Sequence, residues 1–195
     1  MGVPRIGEPR APALPATDDQ ENRRGAILRA AARLGAAKGL DRIQAQEIAA
    51  DAGVALRTLY RYYPSKHHVF AAVLTDQVAR FRPPAPTGNS VDDIVAVMVE
   101  ACRNVLRSKH LAHAMITSTQ VVRAQVGEPE DPTLAQLILK VAGVDDPTDE
   151  QRRRVRLVQQ ATTGILTWTV GGAMTSEGAL ADVEVACRLL VAGQF

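Results

Sequence analysis

One short segment of the sequence concentrates side chains that recognise anions. Residues 53–70, GVALRTLYRYYPSKHHVF, contain all three tyrosines of a chain that is only 4% aromatic, together with Arg57, Arg61 and Lys66. An arginine guanidinium is a planar fork of donors that matches phosphate and guanine edges, and a tyrosine hydroxyl can bond a phosphate oxygen. From Ala52 to Thr75 there is no aspartate or glutamate. The segment is therefore predicted to face an anionic partner.

The elements that carry this segment are predicted to be short helices. Apolar residues recur at helical spacing over 23–39, and Gly39 is typical of a helix C-terminus. AQEIAADAG predicts a second helix of about two turns that ends at Gly53. A third is predicted from about Leu56 to Tyr62, because Pro64 disfavours the helical conformation of the residue before it.

The order of these helices predicts a helix-turn-helix. Two short helices are joined by a tight glycine-containing turn and pack on a longer first helix. Ser65 is predicted to cap a fourth helix that begins near Lys66. The amides of that first turn would favour an anion.

Helical spacing sorts the third helix into two faces. Leu56, Leu59 and Tyr63 share an inward face, whereas Arg57 and Arg61 point outward together. Such a surface fits a DNA groove, with arginines at base edges and hydroxyls at phosphates. A solvated face or a protein–protein patch is the alternative, since arginine and tyrosine are also enriched in protein interfaces. The predicted backbone contacts are Thr58, Tyr60, Tyr62 on the border of the outer face, and Lys66.

The sequence IAADAGVALRTLYRYYPSKHHVF resembles the DNA-binding signature of the TetR family of bacterial transcription regulators, over about residues 22–75. The resemblance implies DNA contacts by Thr58, Tyr60, Tyr62 and Lys66. Several positions depart from the family pattern. Gln44 and Ala55 replace hydroxyl residues that usually cap the two short helices, which predicts a loss of about 1 kcal/mol each; Arg57 stands where glycine is common, and His67 where glutamate is common. The predicted DNA-binding set is Gln44, Ala55, Arg57, Thr58, Tyr60, Arg61, Tyr62 and Lys66.

The rest of the chain predicts further helices and no strand. After a PPAPTGNS linker, apolar segments are separated by GEPEDP, GVDDPT and TSEG. The fold class is therefore all-α, with a proline-containing disordered arm over 1–21, a helix-turn-helix domain over 22–68 and a helical ligand-binding and dimerisation domain over 69–195. The predicted helices of the latter are 90–107, 109–124, 131–142, 148–172 and 179–192.

The last two helices are apolar on more than one face, and such helices need more than one partner. One partner is the core of the domain, and a second copy of the chain is the other, so we expect a homodimer. The TetR resemblance implies that the same two helices form the dimer interface. The predicted interface residues are Ala161, Gly164, Trp168, Gly171, Val183, Ala186 and Leu190.

A group of flexible apolar residues with a few hydroxyls predicts a site for a large hydrophobic small-molecule effector. An ordinary filled core explains the same residues equally well. The segments TDEQRRRVRLVQQATTGILTWTVGGAMT and TLYRYYPSKHHV are similar to actinobacterial TetR regulators of sterol and lipid breakdown. This resemblance implies a steroid, a long acyl chain or its CoA thioester as effector, with the arginines at 152–156 as phosphate ligands. The predicted lining residues are Met98, Cys102, Met115, Thr119, Leu137, Val141, Thr162 and Leu166.

Other classes of function have little support in the sequence. Cys102 and Cys187 fit no metal or redox spacing, and His110 with His113 has no third ligand at metal spacing. The residue patterns predict no catalytic grouping, signal peptide or membrane span. We therefore expect a cytoplasmic, non-enzymatic regulator that binds a double-stranded operator and is released by its effector. The alternatives are a helical small-molecule or acyl-chain binding protein without operator binding and, third, a metal-dependent helical enzyme.

Overall fold

The computed structural model describes residues 17–126 and 132–195. Within these ranges the chain is helical, and the all-α prediction is confirmed. A 3-10 turn over Leu40–Arg42 follows the first helix. The helices are α1 (Asp18–Lys38), α2 (Ala45–Asp51), α3 (Leu56–Tyr62), α4 (Lys66–Ala79), α5 (Ser90–Leu106), α6 (Lys109–Val126), α7 (Pro132–Val141), α8 (Asp149–Val170) and α9 (Ser176–Val191).

The first helix begins earlier than predicted. Thr17 accepts a hydrogen bond from the amide of Gln20 at 3.3 Å, and the first turn of α1 is acidic, which favours a helix N-terminus. Residues 18–21 are therefore helical, although they were predicted to belong to a disordered arm. The remainder of that predicted arm, residues 1–16, lies outside the described residues.

The sequence predicted that α2 and α3 both lack a side-chain N-cap, and the structure differs from this prediction at α2 only. The amide of Gln44, at the start of α2, donates to Glu47 Oε2 at 3.0 Å, and the same carboxylate group pairs with Lys38. Glu47 thus supplies half of a capping box and ties α2 to the end of α1. At the start of α3, Ala55 offers no side-chain cap, as predicted.

Helix α4 joins the two halves of the molecule. It packs against α1 on one side and against α6 on the other, while α5 and α8 both pack against α9. The helices approach closely at Gly35 of α1, where an added Cβ would lie 2.8 Å from Phe70 of α4 and 2.9 Å from Leu111 of α6. Three helices therefore meet at a position where only glycine fits without a shift. None of the helices in the described ranges is long and apolar enough to cross a membrane.

Candidate nucleic-acid interface

The outward face of α3 has the predicted composition. Arg57 and Arg61 are exposed, Tyr60 is 46% exposed, and Thr58 is half-buried beside them. Leu59 on the opposite side is fully buried in the core. Gln44 and Ala55, at the N-terminal ends of the two short helices, are also exposed. These side chains form one surface, the recognition face, that can approach a groove; their contacts with DNA stay predictions.

Tyr62 lies in the core and not on the border of that face. Only 2% of the residue is exposed. Its hydroxyl accepts a hydrogen bond from Arg61 Nη2 at 2.9 Å, and the guanidinium carbon lies 5.0 Å from the ring centroid. The predicted position of Tyr62 on the border of the outer face is wrong, and its contact with a phosphate stays a prediction. Tyr62 instead holds Arg61 by a hydrogen bond and a cation–π contact.

The phenol of Tyr63 is buried. Burial raises the pKa of Tyr63, and the nearby Arg24 opposes that shift. The two groups are close enough to interact electrostatically, but the hydroxyl has no hydrogen bond of normal geometry within the described residues. The inward placement of the ring is confirmed.

Lys66 has a structural role in the free protein. Its ammonium group donates to the carbonyl oxygens of Leu40 and Ile43, both at 3.1 Å. It was predicted to grip the DNA backbone, but two of its three donors are already used inside the protein. Lys66 therefore ties the start of α4 to the corner that precedes α2.

The same turn of α4 is attached to the helical domain through His67. Its Nδ1 lies 3.1 Å from the hydroxyl of Ser118 on α6, and Ser118 is fully buried. Burial lowers the pKa of His67, Lys66 lowers it further, and Asp41 acts in the opposite direction. Since Lys66 reaches one way and His67 the other, one turn of α4 links the DNA-binding helices to α6.

Ser65 occupies the N-cap position of α4 as predicted, but without the expected bond. Its hydroxyl pairs with His68 Nδ1 at 2.9 Å and makes no capping bond to the backbone. The first amides of α4 therefore do not depend on this serine.

The predicted ligand-lining residues are largely packed in the core. Met98, Cys102, Met115 and Leu166 belong to the main hydrophobic cluster, and Thr162 is buried. Thr119 is half-buried, like Leu137 and Val141 on α7. Burial raises the pKa of the Cys102 thiol to about 12. The filled-core alternative describes this conformation, and a ligand between these residues stays a prediction that requires the helices to separate.

The arginine run at the start of α8 is mostly paired. Arg152 contacts Asp149 at 3.5 Å, and Arg153 and Arg154 contact Glu150 at 3.3 and 2.7 Å. Arg154 also donates to the carbonyl of Leu190 on α9 at 3.0 Å. These pairs compete with the predicted role of the run as a phosphate site.

The predicted dimer stripe on α8 is accessible. Gly164 and Gly171 are exposed, Ala161 is half-buried, and Trp168 is 66% exposed. Such an exposed tryptophan on a helix is typical of an interaction surface.

On α9 the predicted face is displaced. Val183 is fully buried in the chain's own core, and Ala186 and Leu190 are half-buried. The large exposed apolar residues of this helix are Val185 and Leu189, which were not predicted from the sequence, and neither was Leu157 on α8. Their spacing of four residues was a signal of a second helical face. Leu157, Trp168, Val185 and Leu189, with Gly164, are called the apolar face below.

Comparisons with known proteins agree with this architecture. Residues 27–73 match the family model described as bacterial regulatory proteins, tetR family, and residues 88–190 match a tetracyclin repressor-like C-terminal domain. The crystal structure of a TetR transcriptional regulator from Rhodococcus sp. RHA1 is 36% identical with a TM-score of 0.81, over 92% of this chain and 100% of that one. The HTH-type transcriptional repressor KstR of Rhodococcus jostii is 26% identical over 88% of this chain and 82% of its own length. The Thermus thermophilus repressor FadR, solved with lauroyl-CoA, shares the fold at 22% identity and a TM-score of 0.58, over 88% of this chain and 95% of that one.

Proposed function

This chain belongs to the TetR family of bacterial transcription regulators, and we propose that it is a cytoplasmic repressor that binds an inverted-repeat operator as a homodimer and leaves it when a hydrophobic small molecule binds. The observation that carries the DNA-binding part is the recognition face of α3. Arg57 and Arg61 are exposed there, and no carboxylate lies between residues 52 and 75.

The proposed roles on the recognition face follow from what each group can bond. Arg57 and Arg61 present forks that match guanine O6 and N7, and Arg61 is already oriented by Tyr62. Tyr60 and Thr58 offer hydroxyls to phosphate oxygens. Each good base contact by arginine contributes about 1–3 kcal/mol of discrimination.

The proposed homodimer is supported by the apolar face. Trp168 and Leu189 are 66% and 71% exposed, which leaves large side chains uncovered on adjacent helices. A two-fold axis through this face would place the same residues opposite each other and present two copies of α3 to one side of a duplex. Such dimers read half-sites about one helical turn apart, which is why the operator is proposed to be an inverted repeat.

The proposed release mechanism uses the connection between α6 and α4. Leu111 of α6 and Phe70 of α4 both lie against Gly35, and Ser118 of α6 is hydrogen-bonded to His67. A ligand that displaces α6 would therefore move the first turn of α4, which follows directly after α3. A ligand releases DNA only by its difference in affinity for the two conformations, so operator DNA must weaken its binding by the same factor.

The effector is proposed to be a large apolar molecule with few polar groups. Met98 and Met115 are flexible side chains that can repack around a guest if the helices separate. Sterol catabolites, long acyl chains and their CoA thioesters are the first compounds to test. Because Arg152, Arg153 and Arg154 are ion-paired, a CoA thioester would have to compete with Asp149 and Glu150 for them.

A gel shift with the DNA upstream of the chain's own gene tests the proposal. Arg57→Ala and Arg61→Ala should each weaken specific binding by roughly 1–3 kcal/mol and relax base preference. Arg152→Ala is the matched control, because Arg152 is an exposed arginine on the helical domain. Equal loss with the control, or unchanged binding by both α3 variants at moderate salt, would contradict the proposed interface. A protein that binds apolar ligands but no DNA would support the alternative of a ligand-binding protein without an operator.

A further inference from the structure

A cavity of about 360 Å³ lies at one end of the helical domain. It is formed where α5 ends and α6 begins, facing the turn between α8 and α9, and it shares no lining residue with the predicted effector site. Its volume is at the lower end of the range for small-molecule pockets. The cavity is therefore a separate place to look for a ligand.

The lining divides into an apolar part and a charged part. Leu106, Val170 and Met174 supply apolar surface. Lys109 is the only charged residue of the lining, and its ammonium group has no ion-pair or hydrogen-bond partner within the described ranges. This contrasts with Arg152, Arg153 and Arg154 at the start of α8, each of which has an ion pair with Asp149 or Glu150. An unpaired ammonium beside an apolar wall favours an amphipathic anion over a neutral ligand.

The N-terminus of α9 adds unpaired amides to the lining of the cavity. Ser176, the first residue of α9, lines the cavity. The first amides of a helix have no hydrogen-bond partner inside that helix, so they can bind an anion. Thr169 also lines the cavity and is 6% exposed, but its hydroxyl already donates to the carbonyl of Ile165 and therefore offers no proton to an anion. Glu177 is in the first turn of α9 but is not part of the lining.

We propose that this cavity binds a small amphipathic anion, with a carboxylate or phosphate head at Lys109 and a short apolar chain against Leu106, Val170 and Met174. This deepens the proposed function, because Lys109 begins the same helix whose Leu111 and Ser118 contact α1 and α4. A ligand that draws Lys109 toward the α8–α9 turn biases the position of α6. The site thus adds a second chemical signal, an anion, to the apolar effector.

Titration calorimetry of the full chain with octanoate, octyl phosphate and 1-octanol tests the site. Octanoate or octyl phosphate should bind about tenfold or more tightly than 1-octanol, because only the anions gain a charge-assisted hydrogen bond. Lys109→Ala should remove that difference, and Lys109→Arg should retain most of it. Whichever anion binds more tightly identifies the head group.

A second variant checks the location of binding. Ala173 lines the cavity and is exposed, so Ala173→Trp should fill it without disturbing the core and abolish binding of all three probes. Equal affinity for octanoate, octyl phosphate and 1-octanol, unchanged binding by Lys109→Ala or Ala173→Trp, or no binding at millimolar probe would overturn the proposal. These titrations contain no DNA, and operator binding by the same proteins is measured separately by gel shift. A negative result for anion binding at the cavity can therefore be distinguished from a negative result for operator binding.

Discussion

Tyr62→Phe separates the role that the structure gives this residue from the role that the sequence pattern predicted. The substitution keeps the ring, and with it the cation–π contact, but removes the hydroxyl that accepts from Arg61 at 2.9 Å. A hydrogen bond of this kind contributes about 0.5–1.5 kcal/mol net. If Tyr62 acts by orienting Arg61, operator affinity should fall roughly 2- to 12-fold.

A double-mutant cycle gives the decisive comparison. In an Arg61→Ala background, the hydroxyl of Tyr62 has no arginine to orient, so Tyr62→Phe should have little further effect on the dissociation constant measured by fluorescence anisotropy. The single variants serve as the controls of the cycle. If Tyr62→Phe instead lowers affinity by the same factor with and without Arg61, the hydroxyl contacts the DNA directly, and the positioning argument is refuted.

Three further predictions concern the dimer, His67 and Lys66. Leu189→Glu and Gly164→Arg should each shift the protein toward monomer in sedimentation velocity at micromolar concentration, because both place charge in the apolar face; a parent protein that is already monomeric would contradict the proposed dimer. Burial lowers the pKa of His67 below 6.5, so as the pH falls the imidazole of the unfolded chain is protonated before that of the folded protein, and the melting temperature should fall below about pH 6.5. His67→Asn should flatten that part of the curve of melting temperature against pH. An identical curve in the variant would refute the contribution of His67 to this pH dependence. Lys66→Met should lower the free energy of unfolding by about 2 kcal/mol, because it removes the two hydrogen bonds to carbonyl oxygens. If stability is instead unchanged and the salt dependence of operator binding falls by about 1 in slope, Lys66 contacts a DNA phosphate as the sequence predicted.

Helix order and most helix ends could be predicted from sequence because backbone chemistry marks them locally. Pro64 stops α3 at Tyr62, and Gly53 has a φ of 67°, which glycine adopts without strain. The outward direction of Arg57 and Arg61 also follows from helical spacing alone. These features depend on residues close together in the chain.

The residues whose positions were wrongly predicted from the sequence owe those positions to contacts between distant parts of the chain. A helical wheel gives the direction of Tyr62 but not how far neighbouring elements cover it. The carbonyl oxygens that bind Lys66 are more than twenty residues away, so local sequence carried no signal for them. On α9 both faces are apolar, and the periodicity could not tell that Val183 packs inward and Leu189 outward. Burial of Met98 and Met115 likewise fits a core or a closed pocket equally well.

Hydroxyl-radical footprinting of the complex with a selected operator tests the central claim most directly. Two copies of α3 in one dimer should protect two backbone segments related by a two-fold axis and centred about 10 base pairs apart, and the Arg57→Ala, Arg61→Ala double variant should lose both at matched salt. A single protected segment, or a footprint that the double variant reproduces, would contradict operator binding by a dimer through the recognition face.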